Sequence, residues 1–191
     1  MEELDFDIVI VGGGPAGSSA ARIAAKNGCT VALIEKEREI AETVRTSGVT
    51  WISDIQEFQI PEECYNPIKK FSFCSPKNSV TISDGIAKAA VLDVRKTYRF
   101  LAKRAESSGS EVFTNTNVSG ILKNSLGKCV GVIAKSQDKH IQFKAKVVID
   151  ASGFSSVVAR ELGHVKQWKK YGVGAEFEVK TEKLEYDNWW L

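Results

Sequence analysis

The sequence has little of what metal-binding and disulfide-rich proteins require. Its 191 residues include two histidines and four cysteines, and no two cysteines form a CxxC pair. Structural zinc sites take their ligands from closely spaced cysteines and histidines, so no metal site is expected. We expect the cysteines to be reduced thiols. We also expect His140 and His164 to be exposed rather than to act as catalytic bases.

Long apolar runs and blocks of one charge are also missing. No stretch reaches the roughly 18 apolar residues typical of a membrane span, and the acidic start Glu2-Glu3 lacks the basic region of a secretory signal. We therefore expect a cytoplasmic protein. The 26 basic and 24 acidic residues are interspersed and leave a formal net charge of +2, so nucleic acid is not an expected partner.

The first 35 residues have the pattern of a strand, a helix and a second strand. An apolar run at Asp5–Val11 is typical of a buried strand, and three glycines follow it. Pro15 suits the first turn of a helix, where a missing N–H is tolerated, and Asn27-Gly28 predicts its end. A second apolar run at Thr30–Ile34 then leads to Glu35. This order predicts a parallel βαβ unit.

Gly12, Gly14 and Gly17 fall between the first strand and the helix, in GxGxxG spacing. Glycines also mark ordinary turns, but this context favours a dinucleotide site. The first glycine permits the turn, the second lets the backbone approach a pyrophosphate, and the third lets the helix pack closely on the strand. Glu35 is placed to accept hydrogen bonds from ribose hydroxyls and would repel a 2′-phosphate, which indicates FAD or NAD rather than NADP.

The pattern of the remaining residues predicts a β-rich segment, a helix, a β meander and a further strand of the parallel sheet. The β-rich segment covers residues 40–92 and contains a candidate hairpin at Lys70–Cys74 and Ser79–Ser83. Helical spacing returns at Asp93–Ser108. The later predicted elements are strands at Glu111–Phe113, Val118–Leu122, Val130–Lys135, His140–Phe143 and Ala145–Ile149, a helix at Ser155–Leu162, and a strand at Gly172–Lys180.

The segment Val147–Arg160 has a strand, a small-residue turn and a helix, and it carries a resemblance to a known family. It is similar to the second FAD-binding segment of the flavin-dependent hydroxylase and geranylgeranyl reductase superfamily. Within that superfamily the chain most resembles the geranylgeranyl reductases of archaeal lipid synthesis, through Glu35-Lys36, Val44–Gly48, Leu92–Arg95 and Ile149–Gly153. Hydroxylases usually carry Asp-Gly where this chain has Ser152-Gly153.

The resemblance implies an α/β fold in two parts. A Rossmann-like FAD-binding domain, with a parallel sheet, crossover helices and a β meander, is expected over residues 1–50 and 90–164. Part of a second, antiparallel β substrate domain is expected over 51–89 and 165–191.

The resemblance also implies that FAD is the cofactor. Val118 would offer its backbone to the adenine, and Arg95 would reach phosphate or ribitol oxygens, although an exposed arginine on a helix face can also be a solvated charge. Many of these reductases have a cysteine where this chain has Thr46, so no thiol role carries over. The full set of expected FAD contacts is Gly12, Gly14, Pro15, Ala16, Gly17, Glu35, Lys36, Thr46, Ser47, Arg95, Val118, Asp150 and Gly153.

The activity implied by the resemblance is reduction of isoprenoid C=C bonds in a geranylgeranyl lipid precursor. Its partners would be the isoprenoid lipid, an external electron donor such as ferredoxin or a nicotinamide, and the membrane surface through a peripheral contact. No motif identifies a catalytic residue. A monooxygenase or halogenase of the same superfamily is the second hypothesis, and a non-catalytic FAD-binding fragment is the third.

The end of the chain, Trp189-Trp190-Leu191, predicts a large apolar surface that something must bury. Members of the resembled family continue through further segments, so one expectation is that this is a partial chain. The alternative is that the tryptophans pack on residues 50–90.

Overall fold

The computed structural model describes residues 2–137, 139–166, 169–175, 177 and 185–191. The chain divides into two compact units. The first comprises Met1–Thr43 and Tyr98–Tyr171, and the second comprises Val44–Thr97 and Gly172–Leu191. The assignment of residues 1–50 and 90–164 to cofactor binding, and of residues 51–89 and 165–191 to substrate binding, stays a prediction.

Four helices and twelve strands are assigned within the described residues. The helices are α1 (Pro15–Lys26), α2 (Ile52–Glu57), α3 (Val94–Ser107) and α4 (Val157–Glu161). The strands are β1 (Glu2–Val11), β2 (Val31–Ile34), β3 (Val49–Trp51), β4 (Tyr65–Ile68), β5 (Lys70–Cys74), β6 (Ser79–Ser83), β7 (Ala89–Leu92), β8 (Glu111–Phe113), β9 (Thr116–Lys123), β10 (Cys129–Ser136), β11 (Lys139–Asp150) and β12 (Asn188–Trp190).

The first unit contains a six-stranded sheet in the order β8-β2-β1-β11-β10-β9. The first four of these strands run parallel, and β10 and β9 continue the sheet antiparallel as the predicted meander. Val11 pairs with both Ile34 and Asp150, so β1, β2 and β11 end at the same edge. The predicted α/β, Rossmann-like architecture is confirmed.

The apolar runs of β1 and β2 are buried on both faces of this sheet. Val9 and Val11 join a cluster with Phe143 and Val158, whereas Ile10 joins Ala21 of α1 and Ala105 of α3. This division follows from the two-residue period of a strand, since neighbouring side chains point to opposite faces. Continuous apolar strands are typical of parallel sheets covered on both sides.

Two predictions in this unit were wrong in detail. The strands predicted at His140–Phe143 and Ala145–Ile149 are one continuous strand, β11. Its first half pairs with β10 and β1. Beyond Lys144, β1 is its one partner among the described strands, and Val147 is 50% exposed. The helix predicted from Ser155 begins at Val157, because Ser156 takes a left-handed conformation after a short 3-10 helix.

The second unit contains two three-stranded sheets, β3-β7-β4 and β12-β5-β6. The predicted hairpin is confirmed, with β5 and β6 antiparallel. The short helix α2, which follows β3 directly, was not predicted from the sequence. The carboxylate of Asp54 accepts hydrogen bonds from the Thr50 hydroxyl at 2.6 Å and from the Trp51 amide at 3.3 Å, and so fixes the start of this short helix.

The last strand, β12, lies parallel to β5, and the Trp189 ring contacts that of Phe71 with centroids 5.9 Å apart. The alternative that the tryptophans pack on residues 50–90 is therefore confirmed for Trp189, whereas Trp190 is 57% exposed. Of the predicted strand Gly172–Lys180, residues 172–175 and 177 form no strand, and the others lie outside the described residues.

No helix in the described parts of the chain has the length and hydropathy needed to cross a membrane. All four cysteines are free, as expected, and His140 and His164 are exposed.

Asp7, five residues before Gly12, links β1 to β11 and to the residue that precedes β2. Its carboxylate accepts hydrogen bonds from the Thr30 amide and hydroxyl, ahead of β2, and pairs with Lys146 of β11 at 2.7 Å. The hydrogen bond from Lys146 is the largest of the effects that lower the pKa of Asp7 to about 2, and those from Thr30 follow.

Because of this network, part of the free energy of unfolding should depend on pH, and the Asp7→Asn substitution should remove that part. Because the folded-state pKa is depressed, the stabilisation by Asp7 is complete above pH 3.8 and is lost as the pH falls through about 2. Urea unfolding of both proteins from pH 2 to 6 should give a stability difference that is constant above about pH 4 and shrinks below it. A difference that does not change over this range would contradict the assignment.

Candidate cofactor-binding site

Gly12 and Gly17 allow three backbone segments to meet at the end of β1. Gly12 has φ +110°, and a Cβ built on it would lie 2.4 Å from the carbonyl oxygen of Ala151. A Cβ on Gly17 would lie 1.9 Å from the carbonyl oxygen of Gly12. Atoms cannot approach so closely, so α1 packs on the turn only with glycine at both positions. These are the steric roles that the sequence predicted.

Gly14 differs, because a Cβ on it would meet no atom within 4 Å. It is the N-cap of α1, it has no side chain to cap the helix, and the first turn contains no acidic residue. The first amides of a helix lack intrahelical acceptors and carry partial positive charge. Together with the open space beside Gly14, they form a site that suits a phosphate group. Pro15 and Ala16 lie in this first turn.

Glu35 follows β2 and is fixed by the backbone on two sides. One carboxylate oxygen accepts the Gly13 amide at 2.7 Å, and the other accepts the Glu37 amide at 2.9 Å. A carboxylate offers about four acceptor positions, so the same group can also receive hydroxyl donors. The half-buried Glu35 is therefore oriented next to the glycine turn, as a ribose-binding residue must be. Lys36 beside it is exposed.

The strand β9 starts beside Glu35. The amide of Thr116 donates to the carbonyl of Glu35 at 2.9 Å, and Val118 lies two residues further along this strand. β9 is an edge strand of the six-stranded sheet, and the described residues place no strand on its outer side. This placement suits the expected backbone contact of Val118 with an adenine, which stays a prediction.

Asp150 ends β11 directly beside the glycine turn. One carboxylate oxygen accepts the amide of Ser152 at 3.1 Å and its hydroxyl at 2.5 Å, and the other accepts the amide of Ala159 at 2.8 Å. Burial by itself would raise the pKa of Asp150, but these hydrogen bonds and one from the Val158 amide outweigh it, so the pKa is lowered. Gly153 follows with φ +65°.

Three of the predicted contacts belong to the second unit. Thr46 and Ser47 are exposed and lie outside helices and strands, and the Thr46 hydroxyl accepts the Gly48 amide at 3.4 Å. Arg95 is exposed on the first turn of α3. The other ten predicted contacts belong to the first unit. For all thirteen, contact with FAD stays a prediction.

The role of Gly13 was not predicted from the sequence. A Cβ there would lie 2.5 Å from Cδ1 of Ile40 and 3.1 Å from the Glu35 carboxylate, so a side chain would require the end of Ile40 to move, whereas a Cβ on Gly12 would meet backbone atoms. The signal was present, since three consecutive glycines are more than the GxGxxG pattern needs. Ser18 was missed as well. It is fully buried, and its hydroxyl donates to the Gly13 carbonyl at 3.2 Å.

The arrangement fits the ADP half of a dinucleotide. It combines an uncapped helix N-terminus, open space at the second glycine and an oriented carboxylate at the end of the next strand. Ligands of such sheets bind outside the carboxyl ends of the strands, where all of these groups lie.

Alanine substitutions at Gly14 and Gly17 should separate binding from folding. Gly14→Ala should change the free energy of unfolding by about 1 kcal/mol or less, because its Cβ enters open space at an N-cap, yet FAD affinity should fall at least about tenfold. Gly17→Ala should destabilise the chain by about 3 kcal/mol through overpacking.

Urea unfolding and flavin fluorescence titration measure the two effects. Gly120→Ala is the matched control, since its Cβ would make only ordinary contacts near 4 Å with Ile133 of β10. Unchanged FAD affinity in Gly14→Ala would argue against a phosphate at this helix end.

Known proteins that resemble this chain in sequence support a dinucleotide cofactor. The family model for FAD dependent oxidoreductases matches residues 7–163. A digeranylgeranylglycerophospholipid reductase of Methanocaldococcus jannaschii is 36% identical over 192 aligned positions, which cover 96% of this chain and 48% of the reductase. An uncharacterized protein in the nifH2 5′ region of Methanosarcina barkeri is 33% identical, with 85% of this chain and 90% of that protein covered.

A crystal structure of a geranylgeranyl bacteriochlorophyll reductase-like protein from Thermoplasma acidophilum superimposes with a TM-score of 0.77 at 30% identity. The match covers 84% of this chain and 42% of that protein. The chain thus spans about half the length of the reductases that it matches. FAD is the cofactor of the matched family, and the geometry of the glycine turn, Glu35 and the end of β11 suits it. The chain belongs to the FAD dependent oxidoreductase family.

Proposed function

We propose that this chain is part of an FAD-dependent reductase that hydrogenates isoprenoid C=C bonds of a geranylgeranyl lipid. The observation that carries the proposal is the 36% identity to a digeranylgeranylglycerophospholipid reductase, which extends over 96% of the chain. The 30% identity to the Thermoplasma acidophilum protein supports the same assignment.

In this proposal the residues of the first unit hold the ADP half of the cofactor. The α1 N-terminus beside Gly14 binds phosphate, and Glu35 receives the ribose hydroxyls. When bound, the cofactor in its reduced form would supply a hydride to one alkene carbon and be oxidised to FAD, and a proton would add to the other carbon, so that each C=C bond would become a CH–CH single bond. Two electrons then have to come from an external donor, for which ferredoxin or a nicotinamide is the proposed class.

An exposed apolar surface on the second unit supports a lipid substrate. In the β5–β6 hairpin, Phe73 lies opposite Val80 and Phe71 opposite Ile82, so these four side chains share one face of the sheet. Phe73, Val80 and Ile82 are 44%, 56% and 60% exposed. Contiguous apolar surface of this kind is typical of sites that bind apolar ligands or membranes. A peripheral membrane contact is part of the proposal for the same reason.

The reductase activity can be tested with the protein reduced by dithionite under anaerobic conditions. With a geranylgeranyl lipid as substrate, mass spectrometry should show a gain of two hydrogens for each double bond reduced. The Gly14→Ala variant is the control, because it should fold but bind FAD weakly, and its product should fall in proportion to its flavin content.

Two other outcomes of this experiment would favour the alternative functions. Oxygen-dependent oxidation of a nicotinamide with an aromatic substrate, and no alkene reduction, would favour a monooxygenase or halogenase. FAD binding with neither activity would favour a chain that only holds the cofactor.

A further inference from the structure

The carboxylate of Asp150 is surrounded by hydrogen-bond donors of its own segment. It accepts three hydrogen bonds from Ser152 and Ala159, and the Ser152 hydroxyl in turn accepts the Val157 amide at 2.8 Å. The two side chains therefore join the end of β11 to the first turn of α4, across the short turn that contains Gly153. This role differs from the direct cofactor contact that the sequence predicted for Asp150.

The residue between them, Ala151, forms one wall of the glycine turn. Its amide donates to the carbonyl of Val11 at 2.9 Å, and its carbonyl oxygen is the atom that a Cβ on Gly12 would approach to 2.4 Å. Its own Cβ would be 3.3 Å from a Cβ on Gly17. A shift of Ala151 by a few tenths of an ångström would thus alter both glycine positions.

We propose that Asp150 and Ser152 are a positioning pair, which holds the Ala151 backbone against Gly12 and Gly17 and thereby sets the geometry of the FAD-binding turn. Neither side chain needs to contact the cofactor. The inference concerns FAD affinity alone, so it stands or falls separately from the proposed reductase activity.

Asparagine cannot replace Asp150 in this network. One carboxylate oxygen faces the Ser152 donors and the other faces the Ala159 amide, and all of these groups donate. An asparagine has only one oxygen and would turn its own donor toward one of them. Asp150→Asn should therefore raise the Kd for FAD by at least about tenfold.

Asp7→Asn is the matched control for loss of a carboxylate. Asp7 is also a hydrogen-bonded carboxylate with a lowered pKa, but it lies five residues before Gly12 in β1, about 16 Å away along the strand. Flavin fluorescence titration should give Asp7→Asn the FAD affinity of the parent chain. If both variants weaken FAD binding equally, the effect is one of general stability and the proposal fails.

A double-mutant cycle separates positioning from direct contact. If the pair acts as a unit, Ser152→Ala should weaken FAD binding, Ser152→Thr should restore it by keeping the hydroxyl, and adding Ser152→Ala to Asp150→Asn should have little further effect. Full additivity of the two losses would mean that Asp150 acts on FAD independently of Ser152, and would overturn the proposal.

Hydrogen exchange of the cofactor-free protein gives a readout that does not involve flavin. Asp150→Asn should speed exchange at the Val157 and Ala159 amides and in residues 12–17, whereas Asp7→Asn should leave those amides unchanged. Unchanged exchange in residues 12–17 of Asp150→Asn, or an FAD affinity within twofold of the parent, would also overturn the proposal. A parent chain that binds no FAD would refute the cofactor assignment on which it rests.

Discussion

The structure of the site depends on the close contact of three backbone segments that have no room for side chains. The end of β1, the first turn of α1 and the residue after β11 meet at Gly12, Gly17 and Ala151. This contact brings the helix N-terminus to the carboxyl edge of the sheet, where its amides face outward. A methyl group at either glycine would move α1 away from the strand, and the phosphate-binding geometry would change with it.

Glu35 connects this turn to the neighbouring strand. Its hydrogen bonds to the Gly13 and Glu37 amides fix the carboxylate, and its backbone carbonyl accepts the Thr116 amide at the start of β9. One residue therefore orders the glycine turn, the end of β2 and the edge strand. A fixed carboxylate loses little conformational entropy when a ligand binds, which favours recognition of the ribose hydroxyls.

Strong periodic signals made most of the first unit predictable from the sequence. The continuous apolar runs of β1 and β2 and the 3.6-residue spacing of α3 identified these elements to within a few residues. The break at Ser156 and the continuity of β11 were not predictable, since both depend on tertiary hydrogen bonds of Asp150 and on pairing with β1. The helix α2 is too short to show a period, and its start depends on one side chain, Asp54.

The glycine positions of the site could be predicted from a known motif, but the individual side-chain hydrogen bonds around them could not. GxGxxG describes positions that need glycine, and the structure confirms the steric restriction at Gly12 and Gly17 and the open space at Gly14, whereas their contact with FAD stays a prediction. No general sequence pattern encodes the hydrogen bond from the Gly13 amide to Glu35, whose residues are 22 apart in the chain. The same holds for the hydrogen bond from the Ala159 amide to Asp150, whose residues are 9 apart. Both contacts form only when the fold brings these residues together.

Recognition of the ADP half of FAD by the first unit can be tested by competition between ligands. The chain is titrated with FAD and with FMN, and ADP is then added to the FAD complex. We expect FAD to bind much more tightly than FMN, which lacks the adenosine and one phosphate, and we expect ADP to displace FAD. Equal affinity for FAD and FMN, with no effect of ADP, would contradict recognition of the ADP half.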